Sequence, residues 1–330
     1  MNKLNITMLI GYHNSHEQFP PSKLLKFAKM AEKNGFNGAS SSDHFYPWNK
    51  AQGESGFVWS WLGSALQATS LPIGVVNAPG QRYHPAIIAQ ATATLAEMYP
   101  DRFWVALGSG QLLNEGITGG KWPIKSVRNE RLKESAEIIR KLWAGETVTH
   151  NGHIRIEEAK LYTRPENTPQ MIGAAITAET AEWIAGWADG LITVAKPPDE
   201  LNKIIRAFHH RGGKGKPVYI KLEVSYDRDE EKALKGAYDQ WKANIFGSNI
   251  LTNLRTPEQF NDVSELTKPE IMYDTVNIFT DINEYVELLD EYIQLGVDHI
   301  YIHNVNRNQE QFIKDFGEKV LPHLINKEEY

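Results

Sequence analysis

The sequence predicts a closed (β/α)8 TIM barrel, an α/β fold, that forms a single domain over residues 1–330. Short apolar runs alternate with amphipathic stretches along the chain, which indicates a parallel sheet with helices between its strands. The alternation yields eight strands, and eight favour a closed barrel over an open doubly wound sheet. No linker rich in proline and serine divides the 330 residues, so we expect no second domain.

Each predicted strand is a short run of apolar or small residues, as expected where helices cover a parallel sheet. In chain order the strands are predicted at Asn5–Gly11, Phe36–Ser41, Leu71–Val76, Phe103–Leu107, Met171–Ala175, Gly190–Val194, Pro217–Tyr226 and His299–His303.

Apolar residues recur at helical spacing between these strands. The first helix, Pro21–Asn34, carries Leu24, Phe27 and Ala31 on one face and ends before Gly35, a typical residue after a helix. The other helices are predicted at Phe57–Ala68, His84–Met98, Arg128–Ala144, Ala178–Ala188, Asp199–Arg211, from Asp229 onward, at Ile282–Leu295 and at Gln309–Leu324.

Two stretches interrupt the alternation. Val148–Tyr162 alternates around the turn Asn151-Gly152, which predicts a β-hairpin. Residues 245–275 are polar and without clear periodicity, so we expect a long irregular excursion.

Charge and composition exclude several classes of protein. The net charge of −6 argues against a sequence-independent nucleic-acid binder, which needs a basic surface. The absence of cysteine excludes disulfides and thiolate chemistry. No run approaches the roughly 20 apolar residues of a membrane span, and the first ten residues resemble a strand rather than a signal peptide. We therefore expect a cytoplasmic protein that acts on a small molecule, with no nucleic-acid or membrane partner.

The most informative stretch is residues 40–48, Ser-Ser-Ser-Asp-His-Phe-Tyr-Pro-Trp. It places Asp43, His44, Tyr46 and Trp48 at the carboxyl end of a predicted strand, where barrel enzymes carry their chemistry. The aromatic side chains suit a flat, ring-shaped ligand, and an imidazole suits proton transfer near neutral pH. Most of the nine tryptophans belong in the core, but Trp48 and Trp104 are candidates for contact with such a ring.

Gly108-Ser109-Gly110 follows the fourth predicted strand. Because position 113 is Leu113 rather than glycine, this is no dinucleotide fingerprint. The two glycines permit either close approach of a ligand or a plain turn, and both interpretations stay open. The amides of Gln111 and Asn114 could pair with the edge of a heterocycle.

Two further strand ends offer groups for an anion. Thr177 and Thr180 lie where a helix begins and could bind a phosphate, although Thr177 could equally be a simple N-cap. Lys196, after the sixth strand, could bind an anionic substrate group or lie on the surface.

A rival interpretation is a metal-dependent hydrolase. It would use His13, His16, Asp43 and His303 as ligands at the barrel mouth, but their spacing matches no strong metal motif, and we assign no metal ligand.

Taken together, ordered motifs from the first strand to the last helix resemble the luciferase-like superfamily of flavin- and deazaflavin-dependent oxidoreductases. The most similar branch is that of the coenzyme F420-dependent glucose-6-phosphate dehydrogenases. The matching residues are Gly11-Tyr12, Ser15, Glu17-Gln18-Phe19, Ser42-Asp43-His44-Phe45, Pro47-Trp48, Arg82-Tyr83, Pro85, Ala89-Gln90, Gly108-Ser109-Gly110, Leu113-Asn114-Glu115, Leu142-Trp143-Ala144-Gly145-Glu146, Ala188-Asp189-Gly190, Leu295-Gly296, His299 and His303.

The resemblance implies a barrel whose carboxyl-terminal mouth holds the ring system. It implies catalytic roles for His44, Glu17, Trp48 and Gln111, with Glu17 acting on substrate or orienting His44. The backbone near Val75-Val76 would support the ring, and a cis bond there is one way for it to do so. The residues expected to contact the cofactor are Asp43, Val75, Val76, Asn77, Ser109, Gly110, Asn114, Ala175, Ile176, Thr177 and Thr180, and Lys196 is expected to contact substrate.

Departures from that branch shape the functional prediction. Gln111 replaces a glutamate and cannot act as a general acid. Of the basic substrate-phosphate cage only Lys196 matches, while the other positions correspond to Asp274 and to the region 307–311, so glucose 6-phosphate is not the expected substrate.

The segment Thr177–Trp183 resembles the FMN-phosphate segment of the luciferases, so we expect FMN as the cofactor. The deazaflavin F420 is the alternative. We rank it second because the long polyanionic tail of F420 should need a more open and more basic groove. The predicted activity is hydride transfer or monooxygenation by a homodimer. A flavin reductase or a nicotinamide donor would supply the electrons that reduce the flavin. A non-catalytic flavin binder is a further alternative.

Overall fold

The computed structural model describes residues 8–325, with the side chain of residue 325 left out. Three residues of the first predicted strand, Asn5 to Thr7, lie outside this part of the chain. The eleven strands are β1 Leu9–Asn14, β2 Gly38–Ser42, β3 Ile73–Asn77, β4 Phe103–Leu107, β5 Val148–Asn151, β6 Arg155–Ala159, β7 Gln170–Ala174, β8 Gly190–Val194, β9 Val218–Tyr226, β10 Asn277–Phe279 and β11 His299–Asn304.

Helices lie between most of these strands. They are α1 Pro21–Lys33, α2 Val58–Ala68, α3 Pro85–Met98, α4 Leu112–Glu115, α5 Lys125–Trp143, α6 Ala178–Ile184, α7 Pro198–Phe208, α8 Glu230–Trp241, α9 Ser248–Leu251, α10 Pro257–Ser264, α11 Glu284–Gln294, α12 Gln309–Lys319 and α13 Leu321–Ile325. No helix within residues 8–325 is both long enough and apolar enough to cross a bilayer.

Eight parallel strands close into a barrel. The order of pairing is β1, β2, β3, β4, β7, β8, β9 and β11, and β11 pairs back to β1. This confirms the predicted closed (β/α)8 fold. The predicted hairpin is the antiparallel pair of β5 and β6, which lies outside the barrel sheet.

Two features of the excursion differ from the sequence prediction. Residues 245–275 are not irregular throughout, because they include α9 and α10. The three-residue strand β10, which periodicity could not reveal, pairs in parallel with the last residues of β9, from Val224 to Tyr226. These residues lie beyond the segment of β9 that pairs with β8, which ends at Lys221, so their edge on the side away from β11 is free to accept another strand.

Large aromatic side chains fill the amino-terminal half of the barrel. Trp104, Tyr219 and Tyr301 pack together, with ring centroids of Trp104 5.2 Å from Tyr219 and 5.3 Å from Tyr301. We call this layer of rings the floor of the barrel. Because side chains alternate along a strand, Trp104 at the second position of β4 points into the floor. The expectation that Trp104 contacts a ligand at the mouth is therefore wrong.

Glycine makes room for these rings. A Cβ on Gly74 of β3 would overlap the indole ring of Trp104, and one on Gly11 of β1 would overlap the phenol ring of Tyr301. In the barrel floor, large aromatic side chains thus lie against glycine residues of other strands. This arrangement fills the interior at high packing density.

We expect Gly74→Ala to lower the free energy of unfolding by about 2–3 kcal/mol, because its methyl group has no space beside the Trp104 ring. Gly63→Ala in the interior of α2 is the matched control, since a Cβ there meets nothing within 4 Å and should stabilise the helix by about 0.5–1 kcal/mol. Urea denaturation measures both, and equal effects of the two substitutions would contradict the account of the floor.

His299 provides a pH-dependent test of the same floor. It stacks on Tyr219 with ring centroids 4.0 Å apart, and burial lowers its pKa to about 4. The unfolded chain then binds this proton at higher pH than the folded chain, so stability is lost as the pH falls from about 6.5 towards 4.

We expect His299→Phe to remove about 2 kcal/mol of the stability difference between about pH 7.5 and about pH 5, because phenylalanine keeps the ring without its proton site. Urea denaturation of both proteins at the two pH values measures this. An unchanged pH dependence in the variant would contradict the assignment.

Candidate active site

A contact between Glu17 and His44 lies at the carboxyl-terminal mouth of the barrel. Glu17 is on the loop after β1, and His44 follows β2. Their atoms Oε1 and Nδ1 are 2.6 Å apart, and Ser42 and Ser15 donate to the same carboxylate at 2.7 and 2.8 Å. The two catalytic candidates that the sequence placed 27 residues apart therefore share one site.

The environment of Glu17 keeps it ionised. Burial opposes the charge, but the adjacent His44 and the hydroxyl of Ser42 outweigh burial and hold the pKa of Glu17 well below its usual range. An ionised Glu17 orients a proton on Nδ1 of His44 towards itself. The Nε2 atom of His44 makes no hydrogen bond to another described residue, so it is available to exchange a proton with a ligand.

Trp48 forms one wall beside His44. Their ring centroids are 5.3 Å apart in an edge-on arrangement, and Trp48 packs at the same distance against Phe260 of α10. The excursion that contains α10 therefore holds a predicted site residue in place. Tyr46 packs against the apolar cluster that contains Trp48 and Phe260.

Asp43 is buried, and protein donors occupy both of its carboxylate oxygens. Trp59 and Asn77 donate to Oδ2 at 2.9 and 2.8 Å, and Tyr83 donates to Oδ1 at 3.2 Å. Arg82 lies 3.3 Å from the same oxygen. These contacts fix the loop that carries His44, while the predicted contact of Asp43 with a cofactor stays a prediction.

Arg82 is the centre of a buried charge network that sequence reasoning did not assign. Its guanidinium lies between Asp43 and Glu115, 3.4 Å from a Glu115 oxygen, and its side chain is 6% exposed. The Arg82 backbone N–H also donates to Glu115 at 2.8 Å. Burial raises the pKa of Glu115 despite Arg82. The only sequence signal for this network was the match of Arg82-Tyr83 and Glu115 to the family pattern.

The loop after β4 joins the loop after β2. The Oδ1 atom of Asn114 accepts the backbone N–H groups of Phe45 and Tyr46 at 2.8 and 3.2 Å. Gly110 has φ +76°, and a Cβ there would lie 2.8 Å from Glu115. This glycine therefore serves the turn itself. Gln111 precedes α4 and accepts weakly from Asn114 at 3.4 Å.

The end of β3 differs from one expectation. Val76 packs on the barrel floor and Val75 packs on the helix side, as alternation requires. The carbonyl oxygen of Val76 accepts the N–H of Asp43 at 3.1 Å, and Asn77 is bound to Asp43. Residues 8–325 contain no cis peptide bond, so the option of a cis bond near Val75-Val76 is wrong, while contact of this backbone with a ring stays a prediction. Normal trans geometry already satisfies these backbone groups.

The predicted anion-binding side chains after β7 and β8 bond to neighbouring protein groups. Thr177 is the N-cap of α6 and accepts from the Thr180 N–H at 3.3 Å, while the Thr180 hydroxyl lies 3.0 Å from it. Ala175 is buried and Ile176 is exposed. Lys196 pairs with Glu200 at 3.4 Å and is partly exposed. A cofactor or substrate role for these residues stays a prediction.

Three cations that the sequence prediction left unassigned lie beside Ser109. Lys125 donates to the Ser109 hydroxyl at 3.0 Å, and Arg128 and Arg131 follow on the same face of α5. Arg128 and Arg131 line a small cavity together with Gln81, Trp122 and Glu115. No carboxylate within residues 8–325 forms a salt bridge with any of the three cations. Their positive charge is therefore available to an anionic ligand.

The four residues of the rival metal site do not converge. His13 and His303 are neighbours with ring centroids 4.7 Å apart, but His16 packs on Trp61, and Asp43 belongs to the Arg82 network. No group of three or more potential ligands within residues 8–325 is arranged to hold a metal ion.

We expect Arg82→Met to lower the free energy of unfolding by about 3–5 kcal/mol, because it leaves two buried carboxylates without their cation. Lys26→Met is the matched control. It breaks the exposed pair of Lys26 with Glu310, worth about 0–1 kcal/mol. Thermal and urea denaturation distinguish the two, and a loss below about 1 kcal/mol for Arg82→Met would show that the network is not stabilising.

Known proteins resemble this chain over nearly its whole length. An F420-dependent glucose-6-phosphate dehydrogenase from Microbacterium testaceum is 35% identical over 334 residues, covering 97% of this chain and 98% of the relative. The enzyme of the same description from Mycobacterium tuberculosis is 31% identical over 328 residues, covering 96% and 97%.

A solved structure gives the same picture. An F420-dependent secondary alcohol dehydrogenase in complex with an F420-acetone adduct superposes with a TM-score of 0.88 at 28% identity, covering 96% of this chain and 99% of that chain. The family model for luciferase-like monooxygenases matches residues 5–299. The barrel with Glu17 and His44 at its mouth is thus that of an oxidoreductase, and the chain belongs to the luciferase-like monooxygenase family.

Proposed function

We propose that this protein is a deazaflavin (coenzyme F420)-dependent dehydrogenase that oxidises a neutral alcohol to a carbonyl compound. The observation that carries the proposal is the Glu17–His44 pair, with Nε2 of His44 free at the barrel mouth. Relatives that use F420 on a sugar phosphate and on a secondary alcohol support a hydride-transfer function for this site.

The cation cluster beside Ser109 favours F420 over FMN. The sequence prediction preferred FMN because of the threonines at the start of α6, but Thr177 and Thr180 bond to each other and to the helix backbone. A deazaflavin tail should need a basic groove. Lys125 bonds to Ser109, and Arg128 and Arg131 line the cavity beside Ser109 that Glu115 also lines; none of the three cations forms a salt bridge with a described carboxylate. These residues fit the phosphate and carboxylates of that cofactor.

Residues at the mouth divide the chemistry between them. When bound, a deazaflavin supplies the acceptor for the hydride that leaves the alcohol carbon. Nε2 of His44 takes the hydroxyl proton, while Glu17 holds the imidazole by Nδ1. The alcohol loses two electrons and two hydrogens, one as hydride and one as proton, and leaves as a carbonyl compound. Trp48 shields His44 from solvent on one side.

Within residues 8–325, the positions that correspond to the sugar-phosphate cage hold no unpaired cation. Lys196 pairs with Glu200, and Asp274 stands at one of the other positions of the cage. Arg307 is committed to the backbone carbonyls of Ala51 and Gln18, at 3.0 and 3.1 Å. A phosphate would find no unpaired cation among these residues, which supports a neutral alcohol as substrate.

Other expectations about partners stay predictions. They are a homodimer, a cytoplasmic location and a flavin reductase or nicotinamide donor. The proposed dehydrogenase would need no separate reductase, because its alcohol substrate reduces the cofactor.

We expect F420 fluorescence to be quenched by the protein at lower concentrations than FMN fluorescence, and 2-propanol to reduce the bound F420.

In His44→Ala the turnover number should fall by about 10²–10⁴-fold, because the proton acceptor is lost. The F420 dissociation constant should stay within a few-fold of wild type. His323→Ala, an exposed histidine on α13, is the control and should behave as wild type. Normal turnover in His44→Ala would refute the role of His44, and tighter binding of FMN than of F420 would refute the choice of cofactor.

A further inference from the structure

We infer that the substrate is a neutral alcohol with several hydroxyl groups, recognised by a polar cluster on β1, β9 and β11. The cluster comprises His13, Lys221, Glu223, Trp241 and His303, and we call it the β9 cluster. This inference rests on the proposed function and specifies its substrate class.

The β9 cluster lies inside the barrel, above the aromatic floor. Along β9, Ile220, Leu222 and Val224 pack on the helix side, so the intervening Lys221 and Glu223 face the interior, as Tyr219 does below them. The Lys221 ammonium lies 3.0 Å from a Glu223 oxygen.

Aromatic rings extend the cluster towards the site. The Lys221 ammonium lies 5.3 Å from the ring centroid of Trp241, and Trp241 meets His303 edge-on at 5.0 Å. His303 is in turn 4.7 Å from His13. His13 bonds to Ser40 at 2.9 Å, and Ser42, two residues along β2, bonds to Glu17. The cluster therefore continues directly from the Glu17–His44 pair.

Two nitrogen atoms of the cluster lack partners. Nε2 of His13 and Nδ1 of His303 are buried and have no hydrogen bond within residues 8–325. Nε2 of His303 lies 2.8 Å from Oε1 of Gln18, whose amide nitrogen donates to the Val305 carbonyl. His303 therefore carries its proton on Nε2 and presents a bare acceptor at Nδ1.

The charges within the cluster support the same assignment. Burial, together with the nearby Lys221, holds the pKa values of His13 and His303 well below their usual range, so both rings are neutral. Lys221 and Glu223 cancel each other's charge. The cluster thus offers donors and acceptors without an excess cation for a phosphate.

A ligand with several hydroxyl groups matches these properties. Each hydroxyl both donates and accepts, so it can pair with an ammonium, a carboxylate and a bare imidazole nitrogen. A small alcohol with one hydroxyl would leave some of these buried groups unpaired, and an unpaired buried polar group is unfavourable. The ring of Trp241 can cover the apolar face of such a ligand.

Direct binding measurements test the inferred substrate class without any turnover. Glycerol, D-glucose, myo-inositol, glucose 6-phosphate and 2-propanol are titrated into the full-length protein by calorimetry, with saturation-transfer NMR as a second readout. We expect at least one neutral polyol to bind more tightly than both glucose 6-phosphate and 2-propanol. Absence of binding by all three polyols would overturn the inference and leave ordered water as the occupant of the cluster.

Variants then link binding to the cluster. In Lys221→Met/Glu223→Gln, which removes both charges together, polyol affinity and kcat/KM should fall by about 10-fold or more, because at least one charged hydrogen bond is lost. Lys221→Met and Glu223→Gln singly guard against a double variant that fails to fold. Lys26→Met is the surface control. The F420 dissociation constant and the kcat/KM for 2-propanol should change by less than about threefold in the double variant. Equal losses for polyol and 2-propanol would overturn the inference.

The two proposals fail separately. If 2-propanol reduces F420 and no polyol binds, the substrate class is wrong and the dehydrogenase assignment stands. If a polyol binds through Lys221 and Glu223 but F420 neither binds nor is reduced, the recognition cluster stands and the proposed cofactor is wrong.

Discussion

The contact of Glu17 with His44 joins the loops that follow the first two barrel strands, and the organisation of the mouth depends on it. A buried carboxylate is costly unless a partner and hydrogen bonds compensate it. Here His44, Ser15 and Ser42 supply that compensation. The same contacts orient an imidazole with one nitrogen towards the carboxylate and the other free. Stability of the loop pair and readiness for proton transfer therefore have one physical cause.

Around this pair, the barrel separates apolar packing from charge. Aromatic rings and the absent side chains of Gly11 and Gly74 fill the amino-terminal half. Charged and polar side chains occupy the carboxyl-terminal half, where Arg82 lies between two buried carboxyl groups. The packed floor and the network of ion pairs hold the loops in place, and Nε2 of His44 takes no part in these contacts. This is the preorganisation that proton and hydride transfer require.

The choice of cofactor shows how a local pattern can mislead. Hydroxyl residues at the start of a helix resemble a phosphate site, but the same residues are the ordinary means of capping a helix. Thr177 and Thr180 satisfy each other and the backbone of α6. The cations that favour a more acidic cofactor lie on α5, whose predicted start at Arg128 fell three residues after the observed start at Lys125. Lys125 therefore lay outside the predicted helix, and its proximity to Ser109 was not visible.

The sequence by itself determined the alternation of strands and helices, the closure of eight strands and the placement of His44 and Glu17 at strand ends, because these follow from periodicity and from the geometry of parallel sheets. It also determined the family, through motifs spread from Gly11 to His303. Only the tertiary structure decided that Trp104 fills the floor, that Arg82 bridges Asp43 and Glu115, and that Lys221 lies beside Trp241. Those contacts join residues far apart in the chain, and their partners depend on which strands become neighbours when the barrel closes.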